Sequence, residues 1–312
     1  MERVKAVRNF HTSTNIKRIL SNWQLYVFVL PAVAYYLILQ YWPMYGLQIA
    51  FKNFNAGLGF EGSKWVGFSH FERLFNSYFF GDLMINTLRT SLLTLLFGFP
   101  APIILALLIN ELKNVAYKKT VQTITYAPYF ISSVVMVGIV MLFLSPSSGI
   151  INHVIELLGY EPVAFMQKPE MFTGIYVFTR IWQDSGWNAV IFFAALASVD
   201  KELYQAAFID GANKIQRIIH INLPAIIPTI VVLLILRCGS LMDLSYEMIF
   251  LMQNPTNLSA SEVISTYVYK AGLLNADYSF ATAVGLFNSI INCALLLIVN
   301  RVVRWLKVDG LW

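Results

Sequence analysis

The sequence predicts an all-α integral membrane protein with six transmembrane helices and one polar helical connector, on three observations. The first is composition. The 312 residues are 57% apolar and 15% aromatic but only 12% charged, with a mean hydropathy of +0.62, whereas soluble domains carry about 25% charged residues. A soluble fold of this apolarity lacks the polar residues to cover its surface. The second is that apolar stretches near the ~20 residues needed to cross a bilayer recur along the chain. The third is the placement of lysine and arginine, which alternates between the two sides those crossings define.

Residues 1–23 form a basic N-terminal segment. The apolar run that follows is long and has no small-x-small cleavage site, which reads as a retained anchor. Spans are drawn at 24–46, 86–110, 122–144, 172–198, 225–247 and 280–301, so that 24–301 is one membrane domain and 302–312 a short tail. Each span is interrupted by polar residues, a pattern of helices packed against protein. Pro31, Pro100, Pro102 and Pro128 fall inside or at the start of spans, where membrane helices tolerate proline. With both termini inside, fourteen Lys and Arg lie in cytoplasmic segments and five outside: Lys52, Lys64, Arg73, Lys168 and Lys270. The net charge of +5 is therefore a topology signal, and no nucleic-acid partner is implied.

Other chemistries find little support. Gly57 to Lys64 superficially resembles a phosphate-binding loop, but the order Gly62-Ser63-Lys64 is wrong and the loop lies outside; a glycine-rich turn explains it. Cys238 and Cys293 sit in apolar runs as small buried hydrophobes rather than a disulfide or metal pair. The four histidines show no ligand spacing, so no metal site is expected. Asp184 and Glu247 have no accompanying nucleophile or base that would make a catalytic site.

The connector at 199–224 is the most informative segment. Asp200 caps a helix of good formers that includes Tyr204, Gln205, Ala206 and Ala207. The alanines keep it thin. Asp210-Gly211 ends it, since glycine takes the left-handed geometry of a helix stop, with Asp210 free to bond nearby amides. Ala212 follows, then Ile215, Ile218, Ile219 and Ile221 on a partly apolar face, and Leu223-Pro224 starts the next span. On periodicity alone, a helix lying on the membrane interface fits equally well. The string Gln205-Ala-Ala, then Asp210-Gly211-Ala212, then Ile221-x-Leu223-Pro224 resembles the "EAA" loop of binding-protein-dependent ABC importer permeases. One position departs: Gln205 stands where the family usually has glutamate, keeping the length but losing the charge. Residues 65–75 and 278–305 are similar to the carbohydrate branch, maltose-type permeases included, and most to permeases for oligosaccharides released from larger glycans.

That resemblance implies a type I importer permease fold in a bacterial plasma membrane, and a coupling helix within 201–224 that docks in an ATPase cleft. It also implies a second homologous permease, two ATPase subunits that bind ATP and Mg, and an extracellular binding protein that delivers a carbohydrate. The chain itself would hold no cofactor and catalyse nothing. Substrate contacts are expected from polar residues at membrane depth. On 172–198, Arg180, Asp184, Trp187 and Asn188 share one helical face, although Arg180 and Asp184 also fit a mutual ion pair. On 225–247, Arg237, Ser240, Asp243 and Glu247 share roughly one face, facing substrate or a partner subunit. Asn288 is the pore candidate on 280–301, where Gly285, Ser289 and Asn292 read as a packing stripe. Indole faces, carboxylates and amides are the groups sugars use. An amino-acid or peptide importer is the alternative substrate reading. An ion-coupled transporter would need internal repeats, of which the sequence gives no convincing sign.

Overall fold

The computed structural model describes residues 22–305 and 310–311; most of the basic 1–23 segment and part of the 302–312 tail lie outside these. The described residues form two units, the first ending at Gly67 and the second beginning at Phe68. In the first unit, α1 (Trp23–Tyr36) runs on through a π turn and a 3-10 segment into one apolar stretch, Trp23–Phe51. A small antiparallel hairpin follows, β1 (Lys52–Asn53) pairing with β2 (Lys64–Trp65). Phe51 stacks on Trp65 at 5.7 Å.

The second unit is helical. In chain order it contains α2 (Phe80–Gly98), α3 (Pro100–Asn110), α4 (Val115–Tyr126), α5 (Ser133–Phe143) and α6 (Pro169–Ala197), then α7 (Lys201–Ile209), α8 (Leu223–Cys238), α9 (Tyr246–Met252) and α10 (Tyr278–Trp305). Among the described residues, four stretches are long and apolar enough to cross a membrane: Trp23–Phe51, Phe80–Asn110, Lys214–Cys238 and Tyr278–Trp305. A fifth arises if the bent pair at 115–143 is one span. The expected crossings at 24–46, 86–110 and 280–301 fall within three of these.

Three expectations need correction. The stretch 122–144 is not straight but bends by 103°. Pro128 supplies no N–H to continue a helix, Ile131 is extended, and Ser132 caps the new helix by accepting from the Val135 amide at 3.4 Å. The Ile131 carbonyl released by the bend accepts from Gln183 Nε2 at 2.9 Å. The stretch 225–247 is also broken: α8 ends at Cys238 and α9 begins at Tyr246. Arg237, Ser240, Asp243 and Glu247 therefore do not share a helix face. The intervening turn is held by Asn292, whose Oδ1 accepts from the Met242 amide at 3.0 Å. Asn292 thus packs as its stripe implied, whereas Ser289 is exposed and a Cβ at Gly285 would meet nothing. Thirdly, Cys238 is buried but Cys293 is exposed.

α6 is the 29-residue axis of this unit. Its first half packs Phe172, Tyr176 and Val177 against Met136, Val137 and Val140 of α5 and Met248, Ile249 and Met252 of α9. Its second half packs Ala189, Phe192 and Leu196 against Ile103, Ala106 and Leu107 of α3 and Ile226 of α8. Between these cores, Gly186 lets α4 approach. A Cβ there would lie 1.9 Å from the Thr125 carbonyl oxygen, so no side-chain rotation relieves the clash. Gly186→Ala is expected to lower stability by about 1–3 kcal/mol through overpacking. Gly174→Ala on the same helix, where the added carbon meets nothing, should stabilise slightly. Thermal unfolding of the two variants in detergent checks this; equal melting temperatures would contradict the contact.

Candidate functional site

The connector folds as a helix, a glycine stop and a second turn. Asp200 Oδ1 accepts from the Glu202 amide at 2.9 Å and starts α7. Gly211 stands at φ +72°, the left-handed region where a side chain is strained. The stop is closed by backbone bonds, Gly211 N–H to Phe208 O at 3.1 Å and Ala212 N–H to Ala207 O at 2.8 Å. The expectation that Asp210 serves nearby amides is not met. Asn213 caps the next turn instead, accepting from Gln216 N at 2.9 Å while Gln216 Oε1 accepts from Asn213 N at 2.8 Å. Asn at this place is a stronger N-cap than an aspartate three residues earlier, beyond reach of the amides that need a partner. A π turn at Ile218–Asn222 leads into α8, which begins at Leu223 with Pro224 in its first turn. Proline has no intrahelical partner to lose there.

The two faces of this element differ. Outward, Gln205, Ala206 and Asp210 are exposed, and Leu203, Phe208, Ile209 and Ile215 are 53%, 76%, 83% and 67% exposed. Inward, a polar clasp ties the connector to the end of α3. Tyr204 Oη donates to Asn222 Oδ1 at 2.5 Å, and Asn222 Nδ2 donates to Glu111 Oε1 at 3.1 Å. The other Glu111 oxygen takes Arg217 Nη2 at 2.6 Å. Asn222 is fully buried, and the Arg217 and Glu111 side chains are only 18% and 11% exposed. Burial raises the Tyr204 phenol above its ordinary range; the Glu111 carboxylate adds to this, while a hydrogen bond from Asn110 and the Arg217 charge oppose it. The phenol therefore stays a donor at neutral pH. A cavity of about 410 Å³ lies beside the clasp, between the end of α3, the end of α6 and the connector. Glu111 carried no sequence signal, because its partners lie 106 and 111 positions away.

The polar residues expected at membrane depth separate into distinct places. Asp184 and Asn188 line a cavity of about 190 Å³ between α2, α3, α6 and α8, together with Arg180, Ser185, Thr94 and Arg237. Asp184 is paired with Arg180 at 2.5 Å, so the ion-pair reading of these two holds while the pair still faces the cavity. Trp187 does not line it. Its ring stacks on Tyr129 at 4.9 Å and 9° and meets Phe130 edge-on at 5.7 Å. Asn288 and Asp243 are brought together, the amide donating to the carboxylate at 2.8 Å. Glu247 is exposed in the first turn of α9. Arg237, expected on one face with Ser240, Asp243 and Glu247, instead lines this cavity apart from those three.

The chain thus combines apolar helices, a cavity lined in part by charged side chains and a braced connector helix, and known proteins are similar to it over most of its length. Residues 98–308 match the family described as binding-protein-dependent transport system inner membrane component. The protein LplB of Bacillus subtilis (strain 168) is 43% identical over 288 residues, covering 92% of this chain and 91% of that protein. The polygalacturonan/rhamnogalacturonan transport system permease protein YteP of the same organism is 41% identical, covering 92% and 90%. A crystal structure of a bacterial ABC transporter involved in the import of the acidic polysaccharide alginate contains a chain that is 43% identical, with a TM-score of 0.84 and coverage of 92% and 97%. The alginate transporter in complex with an alginate pentasaccharide-bound periplasmic protein gives 42% identity, a TM-score of 0.86 and coverage of 95% and 99%. The chain belongs to the family of binding-protein-dependent transport system inner membrane components.

Proposed function

We propose that this chain is the membrane permease subunit of an ATP-driven oligosaccharide importer in a bacterial plasma membrane, forming half of the translocation pathway. The single observation that carries this reading is the two-faced connector: an outward face of small and apolar side chains suited to a groove, on an element clasped inward to the end of a candidate span. A helix so placed passes a push on its outer face to α3 and α8 without bending. The whole-length similarity to YteP and to the alginate transporter supports the oligosaccharide assignment.

In this reading α6 is a sixth crossing. Its 29 residues span about 44 Å at 1.5 Å per residue, more than a hydrocarbon core of about 30 Å, and Thr173, Thr179, Arg180, Gln183, Asp184 and Ser185 are buried or half-buried within the chain. Residues 24–301 are the membrane domain, 1–23 and 302–312 lie in the cytoplasm, and the connector sits on that side, as the lysine and arginine bias requires. α1, with no buried residues, faces lipid or a second, homologous permease. Two ATPase subunits bind ATP and Mg and dock at Tyr204, Gln205, Ala206, Ala207, Asp210, Gly211, Ala212, Leu223 and Pro224. Tyr204 and Leu223 hold this element from within. An extracellular binding protein delivers the sugar, and Asp184, Trp187, Asn188, Asp243, Glu247 and Asn288 remain the proposed substrate contacts along the path.

Reconstitution tests this. Proteoliposomes with both permeases, the ATPases and the binding protein should take up labelled oligosaccharide only with ATP inside the ATPase-bearing compartment. Uptake by this chain alone would overturn the reading.

A further inference from the structure

Two guanidinium groups and one carboxylate line the cavity between α2, α3, α6 and α8, and the carboxylate is already engaged. Asp184 holds Arg180 from the same helix at 2.5 Å. Arg237, an exposed residue, lines the same cavity from α8. Its guanidinium makes no hydrogen bond or ion pair with any described residue. The hydroxyls lining the cavity turn back to their own helices: Ser185 Oγ donates to Ile181 O at 2.5 Å, and Thr94 Oγ1 to Thr90 O at 2.7 Å. The exposed Asn188 amide also makes no bond to a described residue. The cavity thus offers one spare cation and one spare amide on a lining that is otherwise satisfied.

We infer that Arg237 is a specificity determinant for carboxylated saccharides, binding the carboxylate of a uronic acid residue while Asn188 bonds its ring hydroxyls; this rests on the oligosaccharide-importer reading above. A charged side chain at membrane depth is expensive unless it meets a partner or water. A neutral sugar supplies hydroxyls but nothing to neutralise a guanidinium, whereas a planar carboxylate matches its fork with two parallel hydrogen bonds. The charge count also selects among anions. One spare cation balances one carboxylate, while a phosphate monoester brings −1.5 to −2 charges and leaves a surplus. The Arg180–Asp184 pair has its own role in this arrangement: it keeps the second guanidinium neutralised, so that the site takes one anionic sugar unit at a time and releases it. Asp184 would repel a carboxylate placed beside it, which directs the ligand toward Arg237.

The test uses the assembled complex, with both permeases, the ATPases and the binding protein, in proteoliposomes. Uptake of trigalacturonate is compared with that of its methyl-ester trimer, which keeps rings and linkage and loses the charge. The binding protein is the same throughout, so a change in the ratio between variants reports on the permease. The parent should favour the uronate by at least tenfold. Arg237→Leu should bring the ratio to within twofold of unity, and Arg237→Lys, which keeps charge but not the fork, should fall between. A phosphorylated trisaccharide should be carried no better than the ester. The inference is overturned if Arg237→Leu keeps the parental ratio, or if the phosphorylated sugar is preferred. It is equally overturned if Arg237→Leu and Arg237→Lys both lose the second permease on purification, which would assign the guanidinium to that interface. Import of the ester but not the uronate sinks the inference and leaves the importer reading standing; no ATP-dependent import of any saccharide sinks both.

Discussion

Ala206→Trp is expected to reduce ATP-driven uptake at least 100-fold while leaving the permease folded. Ala206 lies on the exposed face of α7, so an indole there disturbs no contact within the chain. What it prevents is close approach of a partner to the helix backbone. A 100-fold loss corresponds to about 2.7 kcal/mol, the range of removing one well-packed contact at the centre of an interface. The checks are co-purification of the ATPase subunits, which should be lost, and thermal unfolding of the permease, which should not move. Ala206→Ser should retain uptake. Gln205→Glu, which restores the charge usual at this place in the related EAA loops, is expected to preserve association. Full uptake by Ala206→Trp would remove α7 from the docking surface.

The second large effect is expected at Glu111, and it differs in kind: coupling should fail while docking persists. The carboxylate joins Arg217 at 2.6 Å and Asn222 at 3.1 Å, and Asn222 holds Tyr204 on α7. Glu111→Gln keeps the length but leaves the Arg217 guanidinium without its counter-charge. Breaking a buried pair in this way costs about 3–5 kcal/mol, and with 11% and 18% exposure the lower end applies. The outward face is untouched, so ATPases should still bind and hydrolyse ATP. Saccharide moved per ATP should fall about tenfold, because the connector can now shift without carrying α3. Reversing the pair, Glu111→Arg with Arg217→Glu, should recover part of the ratio. A merely structural brace would lower the amount of complex without changing that ratio. An unchanged ratio in Glu111→Gln would contradict the clasp's part in transmission.

The connector was legible because its signals are local. A capping aspartate at 200, a glycine at 211 and a proline at 224 act on amides within a few residues, and φ +72° at Gly211 is what the residue type implies. The bend at 131–132 was half-legible. Pro128 is visible, but membrane helices often absorb a proline, and only Gln183, 52 residues away, makes the break comfortable by taking the freed carbonyl. The end of α8 at Cys238 was hidden because small and polar residues such as Gly239 and Ser240 also occur within membrane helices; Asn292, 50 positions on, satisfies the turn. The candidate substrate residues show the same limit. A helical wheel puts Trp187 with Asp184 and Asn188, yet the indole bends toward Tyr129 and Phe130 of a neighbouring segment. Periodicity gives the direction of a Cβ, not the partner that a long side chain finds.

The central claim is that mechanical work from a separate ATPase enters through residues 201–224 on the inner side of the membrane. Its most direct test is accessibility of a single cysteine, Ala206→Cys, in a chain whose Cys238 and Cys293 have been replaced. An impermeant thiol reagent should label it in inside-out vesicles, not in right-side-out ones, and bound ATPase should protect it. Labelling from the outer surface would contradict the account.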